Sequence, residues 1–245
     1  MLENILEVNK VTKRFRGLVA LKNLDFSMRR GEIHGLIGPN GAGKSTLINC
    51  ICGFYRYDSG AILFKGRNIA KGAPYKICGM GITRTFQIPR YFAHETVLRN
   101  VMAGTLFGRS SLSGRDAKHN AVELLELTGL SVKEGALAKE LTIGDLKSLG
   151  IAMALATKPE LLLLDEPIAG LNPTETTGAM ELIKRIRNEW NITILMVEHV
   201  MKAIMGTCDR ITVINFGEKI CEGLPKEVGS NPGVIKAYLG EEYVF

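Results

Sequence analysis

One segment constrains this chain more than any other: Gly38-Pro39-Asn40-Gly41-Ala42-Gly43-Lys44-Ser45-Thr46. It fits the pattern G-x-x-x-x-G-K-[ST], in which glycines let the backbone turn tightly and aim N–H groups at an anion. Its flanks suit that use. Residues 33–37 ahead read as a short buried strand, and residues 46–52 behind read as an apolar helix closed by Gly53. A strand, a glycine-rich turn and a helix N-terminus bring backbone donors and the positive end of a helix dipole to one point. A triphosphate fits there, with Lys44 reaching the β and γ oxygens and the Ser45 hydroxyl on Mg²⁺. A glycine turn that binds nothing would need neither the lysine nor the hydroxyl, so the whole of 38–46 reads as a nucleotide site.

A second constellation is Leu161-Leu162-Leu163-Leu164-Asp165-Glu166. Four apolar residues ending in two acids put both carboxylates at the carboxyl edge of a buried strand, where open α/β sheets bind ligands. Asp165 can reach Mg²⁺ directly or through a water, and Glu166 can polarise an attacking water. Alone, the pair would read as a solvated turn after a strand; beside a phosphate loop it reads as chemistry.

The rest of the chain supplies a scaffold for these two edges. Apolar residues at 5, 6, 8 and 11, then at 18, 20, 21, 24 and 26, predict two N-terminal strands, and residues 60–66 a third. From residue 89 to 158 the pattern turns helical. Ala117, Ala121, Leu124 and Leu125 fall on one helix face, with Gly129 placed to stop it. Helices are expected over 94–102 and from Gly144 to 158, with an exposed loop at 108–114. Alternation then returns: strands at 161–164 and 192–197, helices at 174–190 and 200–205, and a terminal β pair at 210–216 and 219–221. The predicted fold class is α/β, a phosphate-loop NTPase core with a mainly parallel sheet, an N-terminal antiparallel β layer and an inserted helical subdomain. The core is expected over 1–88 and 159–245 and the helical subdomain over 89–158, together forming one domain.

Composition excludes little else. The 245 residues are 46% hydrophobic and 23% charged, with no apolar run long enough to cross a bilayer and no secretory signal at the N-terminus. Five cysteines without metal-like clustering predict reduced thiols in a cytosolic compartment, with Cys50 and Cys52 packed in the core. A net charge of +6, scattered rather than blocked, selects no partner by itself.

With these motifs in order, the chain resembles the ATP-binding-cassette ATPases almost end to end. The resemblance implies roles for further residues. Gln87, in Arg84-Thr85-Phe86-Gln87, matches the family's glutamine loop, which contacts Mg²⁺ and the water and links to a membrane partner. His199 matches the histidine that contacts the γ-phosphate, and Phe15 the aromatic that stacks on adenine. Singly, each has an ordinary structural explanation; their order around the two phosphate-site motifs carries the combined case. The family's signature segment reads Leu141-Thr142-Ile143-Gly144-Asp145-Leu146-Lys147 here. In the family this segment binds the γ-phosphate held by the opposite subunit of a head-to-tail dimer. Thr142 keeps the hydroxyl and Gly144 the close backbone approach. Ile143 and Asp145 depart from the usual Gly and Gln or Glu, Ser148 and Met153 stand where arginines are usual, and Asn172 replaces an aspartate. A shorter acid at 145 beside a polyanion, with the other departures near it, predicts a slower ATP site where this segment completes it, and hence two unequal sites.

Residues 81–87, 169–175 and 231–240, with the extra length at 106–114, are similar to the larger ATPase subunit of the branched-chain amino-acid importers. That resemblance implies a peripheral ATPase on the cytoplasmic face of the inner membrane, with ATP and Mg²⁺ as cofactors. Its expected partners are integral-membrane permease subunits, a second ATPase subunit that is a related chain, and indirectly a solute-binding protein, but no nucleic acid. Importers of urea, amides or another small solute share these segments. A low-turnover nucleotide-gated switch is the alternative to a working ATPase.

Overall fold

A computed structural model describes residues 3–70, 72–109 and 111–239; Ser110 of the expected loop and Gly240 of the C-terminal segment lie outside the described residues. In chain order the elements are β1 (Asn4–Phe15), β2 (Leu18–Arg29), β3 (Ile33–Ile37), α1 (Lys44–Ile51), β4 (Ser59–Phe64), β5 (Arg67–Asn68), α2 (Pro74–Met80), β6 (Ile82–Arg84), α3 (Val97–Thr105) and α4 (Gly114–Leu127). They continue with α5 (Ile143–Ala156), β7 (Leu161–Asp165), α6 (Pro173–Trp190), β8 (Thr193–Val197), α7 (Met201–Thr207), β9 (Arg210–Asn215), β10 (Glu218–Gly223), α8 (Pro225–Gly229) and α9 (Pro232–Leu239). The chain divides into two compact units, residues 1–74 with 193–245, and residues 75–192.

The first unit holds two β layers. In one, β1 pairs antiparallel with β2 and β4, giving the order β2-β1-β4-β5. Ile5, Leu6, Val8 and Val11 on β1 and Leu21, Leu24, Phe26 and Met28 on β2 are all buried, and the adjacent pair Ile5 and Leu6 shows both faces of β1 covered near its start. In the other layer, β3 runs parallel to both β8 and β9, and β10 closes the edge antiparallel to β9. Every residue of β3 and β8 is buried, which is why these strands read as continuous apolar runs rather than alternating ones. Cys50 and Cys52 are buried thiols in no disulfide, and burial pushes the Cys50 thiol up to about 11, so both serve as core filler.

One polar cluster interrupts this core. His34 on β3 is fully buried, with Nδ1 3.0 Å from Glu32 Oε1 and Nε2 2.9 Å from Thr212 Oγ1, and Phe26 meets the ring edge-on. Glu32 also accepts from the Arg29 amide, and Arg210 reaches it at 3.9 Å while pairing with Glu222. Every polar atom of the imidazole is thereby satisfied, the condition for burying it without a large desolvation penalty. Burial pushes the Glu32 carboxyl up, but the His34 hydrogen bond, the Arg29 amide and the charges of His34 and Arg210 outweigh it and hold it below the usual carboxylate value.

The second unit carries the helical segment. In α4, Ala117, Ala121, Leu124 and Leu125 are buried as the spacing predicts, and Gly129 takes φ 75° just past the C-cap Thr128. Helix α3 begins at Val97 rather than at 94 because the Thr96 hydroxyl accepts from the Arg99 amide and fixes the start there. Helices α3 and α5 cross at Gly104, where an added Cβ would lie 2.6 Å from the Met153 carbonyl oxygen and 2.9 Å from the Ala156 Cβ. The loop over 108–114 is mostly exposed, tied by the Arg109–Glu160 ion pair at 3.0 Å and by the Leu112 amide on the Thr105 carbonyl. Strand β6 lies parallel to β7, with Arg84 opposite Leu163.

Two consequences are measurable. Gly104→Ala must force backbone apart at the α3–α5 crossing, so its urea midpoint is expected to fall by the equivalent of about 1–3 kcal/mol. Because the folded carboxyl of Glu32 titrates below its unfolded value, its stabilising contribution is present above the ordinary carboxylate pKa and is lost as pH falls through the folded one. Thermal scans from pH 6 to pH 3 are expected to show a shallower acid-side decline in Glu32→Gln than in the parent.

Candidate functional site

The first unit supplies the phosphate loop. Strand β3 delivers the chain into residues 38–43, and α1 starts at Lys44. Gly38 is required by contact: an added Cβ would lie 2.0 Å from the Ile214 carbonyl oxygen of β9. Gly43 is required by conformation as well, with φ 107° and the Ala20 carbonyl oxygen 2.6 Å from any Cβ. Neither position admits another residue without moving backbone. Lys44 is 8% exposed and its Nζ donates to the carbonyls of Gly38 at 2.6 Å and Pro39 at 3.0 Å, so the ammonium sits inside the arc of the loop. Helix α1 has no side-chain cap and no acid in its first turn. Helices α3, α5 and α6 have side-chain caps, whereas α4 and α7, like α1, have none. No side chain of its own thus caps the opening amides of α1, the arrangement an anion site requires. Ser45 is exposed and Thr46 half-buried at this end.

The same unit places His199 beside the loop's strand. Leu36 of β3 pairs with Val197 of β8, so the two parallel strands leave the sheet at the same carboxyl edge, one into the phosphate loop and the other into Glu198 and His199. The His199 side chain is 54% exposed, with Nδ1 3.8 Å from Oε2 of the fully buried Glu198, which also accepts from the His199 amide. Phe15, at the tip of the β1–β2 hairpin, is 37% exposed, packs edge-on against Tyr55 and carries the Lys13 ammonium 4.9 Å from its ring centre.

The second unit holds the acids. Asp165 closes β7 at 7% exposure, and Glu166 follows in the left-handed region at φ 50°. A non-glycine residue there stores backbone strain, and here the neighbours over-determine it. The Lys147 ammonium donates to the Glu166 carbonyl at 2.6 Å, and Gln87 Nε2 donates to Glu166 Oε2 at 2.7 Å. Arg84 Nη2 lies 2.7 Å from Asp165 Oδ2, with both side chains about nine-tenths buried, and the Thr85 hydroxyl accepts from the Asp165 amide. The Arg84 and Arg90 guanidiniums flank the Phe86 ring. Sequence reasoning had Gln87, Asp165 and Glu166 but missed the contacts of Arg84 and Lys147, which reach their partners from 81 and 19 residues away.

The signature segment opens α5. Thr142 is its N-cap, accepting from the Asp145 amide at 3.2 Å, while Asp145 Oδ2 accepts from the Thr142 amide at 3.1 Å and hydroxyl at 2.7 Å. This is a capping box with aspartate as the third residue. Lys133 Nζ lies 2.6 Å from the same Asp145 oxygen. Burial pushes the Asp145 carboxyl up, but Lys133 and the two Thr142 donors outweigh it and hold it below its usual value. The carboxylate expected to stand bare beside a polyanion is therefore folded back and compensated. Asn172 likewise caps α6, exchanging bonds with Glu175 at 2.9 Å each way, ahead of Pro173 at the first helical turn.

Each unit by itself carries an oxygen donor of the kind Mg²⁺ takes. That ion takes one or two protein oxygens, keeps waters and shares phosphate oxygens rather than sitting in a dedicated cage. Asp165 offers a hard carboxylate and Ser45 an exposed hydroxyl. Among the described residues no group of three or more His, Cys, Asp or Glu could hold a metal ion by itself. Nor, among them, is any helix long and apolar enough to cross a membrane.

Comparison with known proteins agrees with these features. The ABC transporter family model matches residues 21–169, and a model for branched-chain amino acid ATP-binding cassette transporters matches residues 218–244. The high-affinity branched-chain amino acid transport ATP-binding protein LivG of Salmonella typhimurium is 42% identical, over 98% of this chain and all of its own. Among solved structures, the ADP conformation of an ATP-binding cassette from an ABC transporter matches with TM-score 0.89 at 32% identity, covering 98% of this chain and 100% of that one. A dimeric cassette in a post-hydrolysis state, bound to ADP and Pi, matches with TM-score 0.81 at 25% identity, over 90% of this chain and 98% of its own. With the family model spanning most of the sequence and a close relative matching from end to end, the chain belongs to the ABC transporter family, as an ATP-binding cassette.

Proposed function

We propose that this cassette hydrolyses ATP at the cytoplasmic face of a membrane to drive import of branched-chain or other hydrophobic amino acids. It would dock on integral-membrane permease subunits and pair head to tail with a second ATPase subunit, with a solute-binding protein on the far side. The observation that carries the catalytic part is Glu166, held through its carboxylate by Gln87 and through its carbonyl by Lys147. The relative's name and the match over 218–244 support the solute class, and the dimeric cassette supports the pairing.

In this reading the loop amides of 38–46 and the Lys44 ammonium bind the β and γ phosphates, and Phe15 stacks on the adenine. Ser45 and Asp165 would hold Mg²⁺, which neutralises phosphate charge when bound. Glu166 orients the attacking water and accepts its proton as the water oxygen bonds to the γ phosphorus and the bond to the β-bridging oxygen breaks. Gln87 keeps that carboxylate aimed, and His199 donates to a γ oxygen. The opposite subunit's signature segment covers the same phosphate, as Thr142 and Gly144 of this chain cover the one that the opposite subunit holds. Each triphosphate then binds both halves of a closed dimer, and hydrolysis removes that shared ligand, so the dimer opens.

A cavity of about 300 Å³ in the second unit, lined by Phe86, Pro89, Phe92, Phe107 and Met153, supports a role for this unit in membrane coupling. Phe92 and Phe107 are 57% and 66% exposed there, an apolar surface suited to a short segment of a membrane subunit.

Two tests follow. In the complex purified by a tag on this chain, Glu166→Gln is expected to lower kcat by about 10²–10⁴-fold while retaining ATP binding, and Lys44→Ala to weaken ATP binding itself. An undiminished rate in Glu166→Gln removes the catalytic assignment. In cells, uptake of radiolabelled leucine, isoleucine and valine is expected to be lost with Lys44→Ala; loss of urea or amide uptake alone would reassign the solute.

A further inference from the structure

The geometry points to Lys133 as a positioning residue of the ATP site that this chain's signature segment completes on the opposite subunit. The inference rests on the head-to-tail reading above and concerns how Thr142–Asp145 can meet a triphosphate at all. An α-helix start carries about half a positive charge and open amides, which is what makes it useful against a phosphate. In α5 that advantage is cancelled from within. Asp145 adds a full negative charge in the first turn and takes up both the Thr142 amide and the Thr142 hydroxyl proton. Left so, the segment would offer an anion to an anion.

Lys133 reverses the balance. It belongs to the short turn after α4, twelve residues before Asp145, and its ammonium touches the Asp145 oxygen that both Thr142 donors use. Its positive charge restores a net positive helix start. It shares that oxygen with the Thr142 hydroxyl, at 2.6 Å and 2.7 Å, so Asp145 keeps a partner when the hydroxyl turns toward a γ-phosphate. The Asp145 side chain is 18% exposed and that of Lys133 41%, so the pair is only partly shielded and its effect is open to salt screening. The acid at position 145 is thus matched by a cation supplied from elsewhere in the same unit. On this basis the site completed by this segment turns over without the handicap that the bare sequence predicts.

The test measures steady-state MgATP hydrolysis by the tagged, assembled complex for Lys133→Met, Lys133→Arg, Asp145→Asn and the double variant Lys133→Met/Asp145→Asn. Lys133→Met is expected to raise KM for MgATP by roughly five-fold with kcat little changed, and to lose most of that increase in about 0.5 M salt. Lys133→Arg is expected to keep the parent KM. Asp145→Asn, which removes the charge Lys133 balances, is expected to match or lower the parent KM, and the double variant to follow Asp145→Asn. An unchanged KM in Lys133→Met overturns the inference. So does a raised KM that Asp145→Asn fails to rescue, because that pattern marks a purely structural pair. Should Lys133→Met fail to assemble, Asp145→Asn decides alone: a raised KM in that variant overturns the inference. A parent complex without MgATP hydrolysis would instead sink the underlying ATPase reading.

Discussion

The phosphate loop depends on backbone packed against backbone at distances no side chain tolerates. The Ile214 carbonyl stands where a Cβ of Gly38 would be, and the Ala20 carbonyl stands over Gly43. These two contacts clamp the loop between β9 and the start of β2, and Lys44 closes it from inside by gripping the Gly38 and Pro39 carbonyls. The amides are then rigid before any ligand arrives, so no ordering cost is left for the moment of binding. Parallel pairing of β3 with β8 carries the same rigidity to the His199 edge.

A second theme is that every functional acid is held by a cation or amide donor. Arg84 holds Asp165, Gln87 and Lys147 hold the two ends of Glu166, and Lys133 holds Asp145. Carboxylates packed near a polyanion would otherwise repel it and drift in orientation. These contacts fix where each carboxylate points. The Glu166 backbone, in the left-handed region at φ 50°, is held from the same two ends.

Much of this was legible beforehand. The strands and most helices follow from apolar periodicity, since β3, β7 and β8 are buried on both faces and α4 on one. The short elements α2 and β6 escaped notice. A seven-residue helix with one buried side chain and a three-residue strand carry too little pattern to register. At the site, residues 38–46, Asp165 and Glu166 announced themselves because their chemistry needs fixed local spacing. Arg84, Lys147 and Lys133 did not, because each meets its partner across 81, 19 or 12 residues of chain.

The amino-acid order alone therefore determined the fold class, the phosphate loop and the strand-end acids, since glycine tolerance, burial on both strand faces and carboxylate placement are all local properties. Only the tertiary structure decided which charges are balanced and by what. Asp145 read in isolation is an uncompensated acid, and its meaning changes once a turn from another helix brings Lys133 to 2.6 Å. Electrostatics depends on distance through space, and distance through space is what a linear sequence does not record.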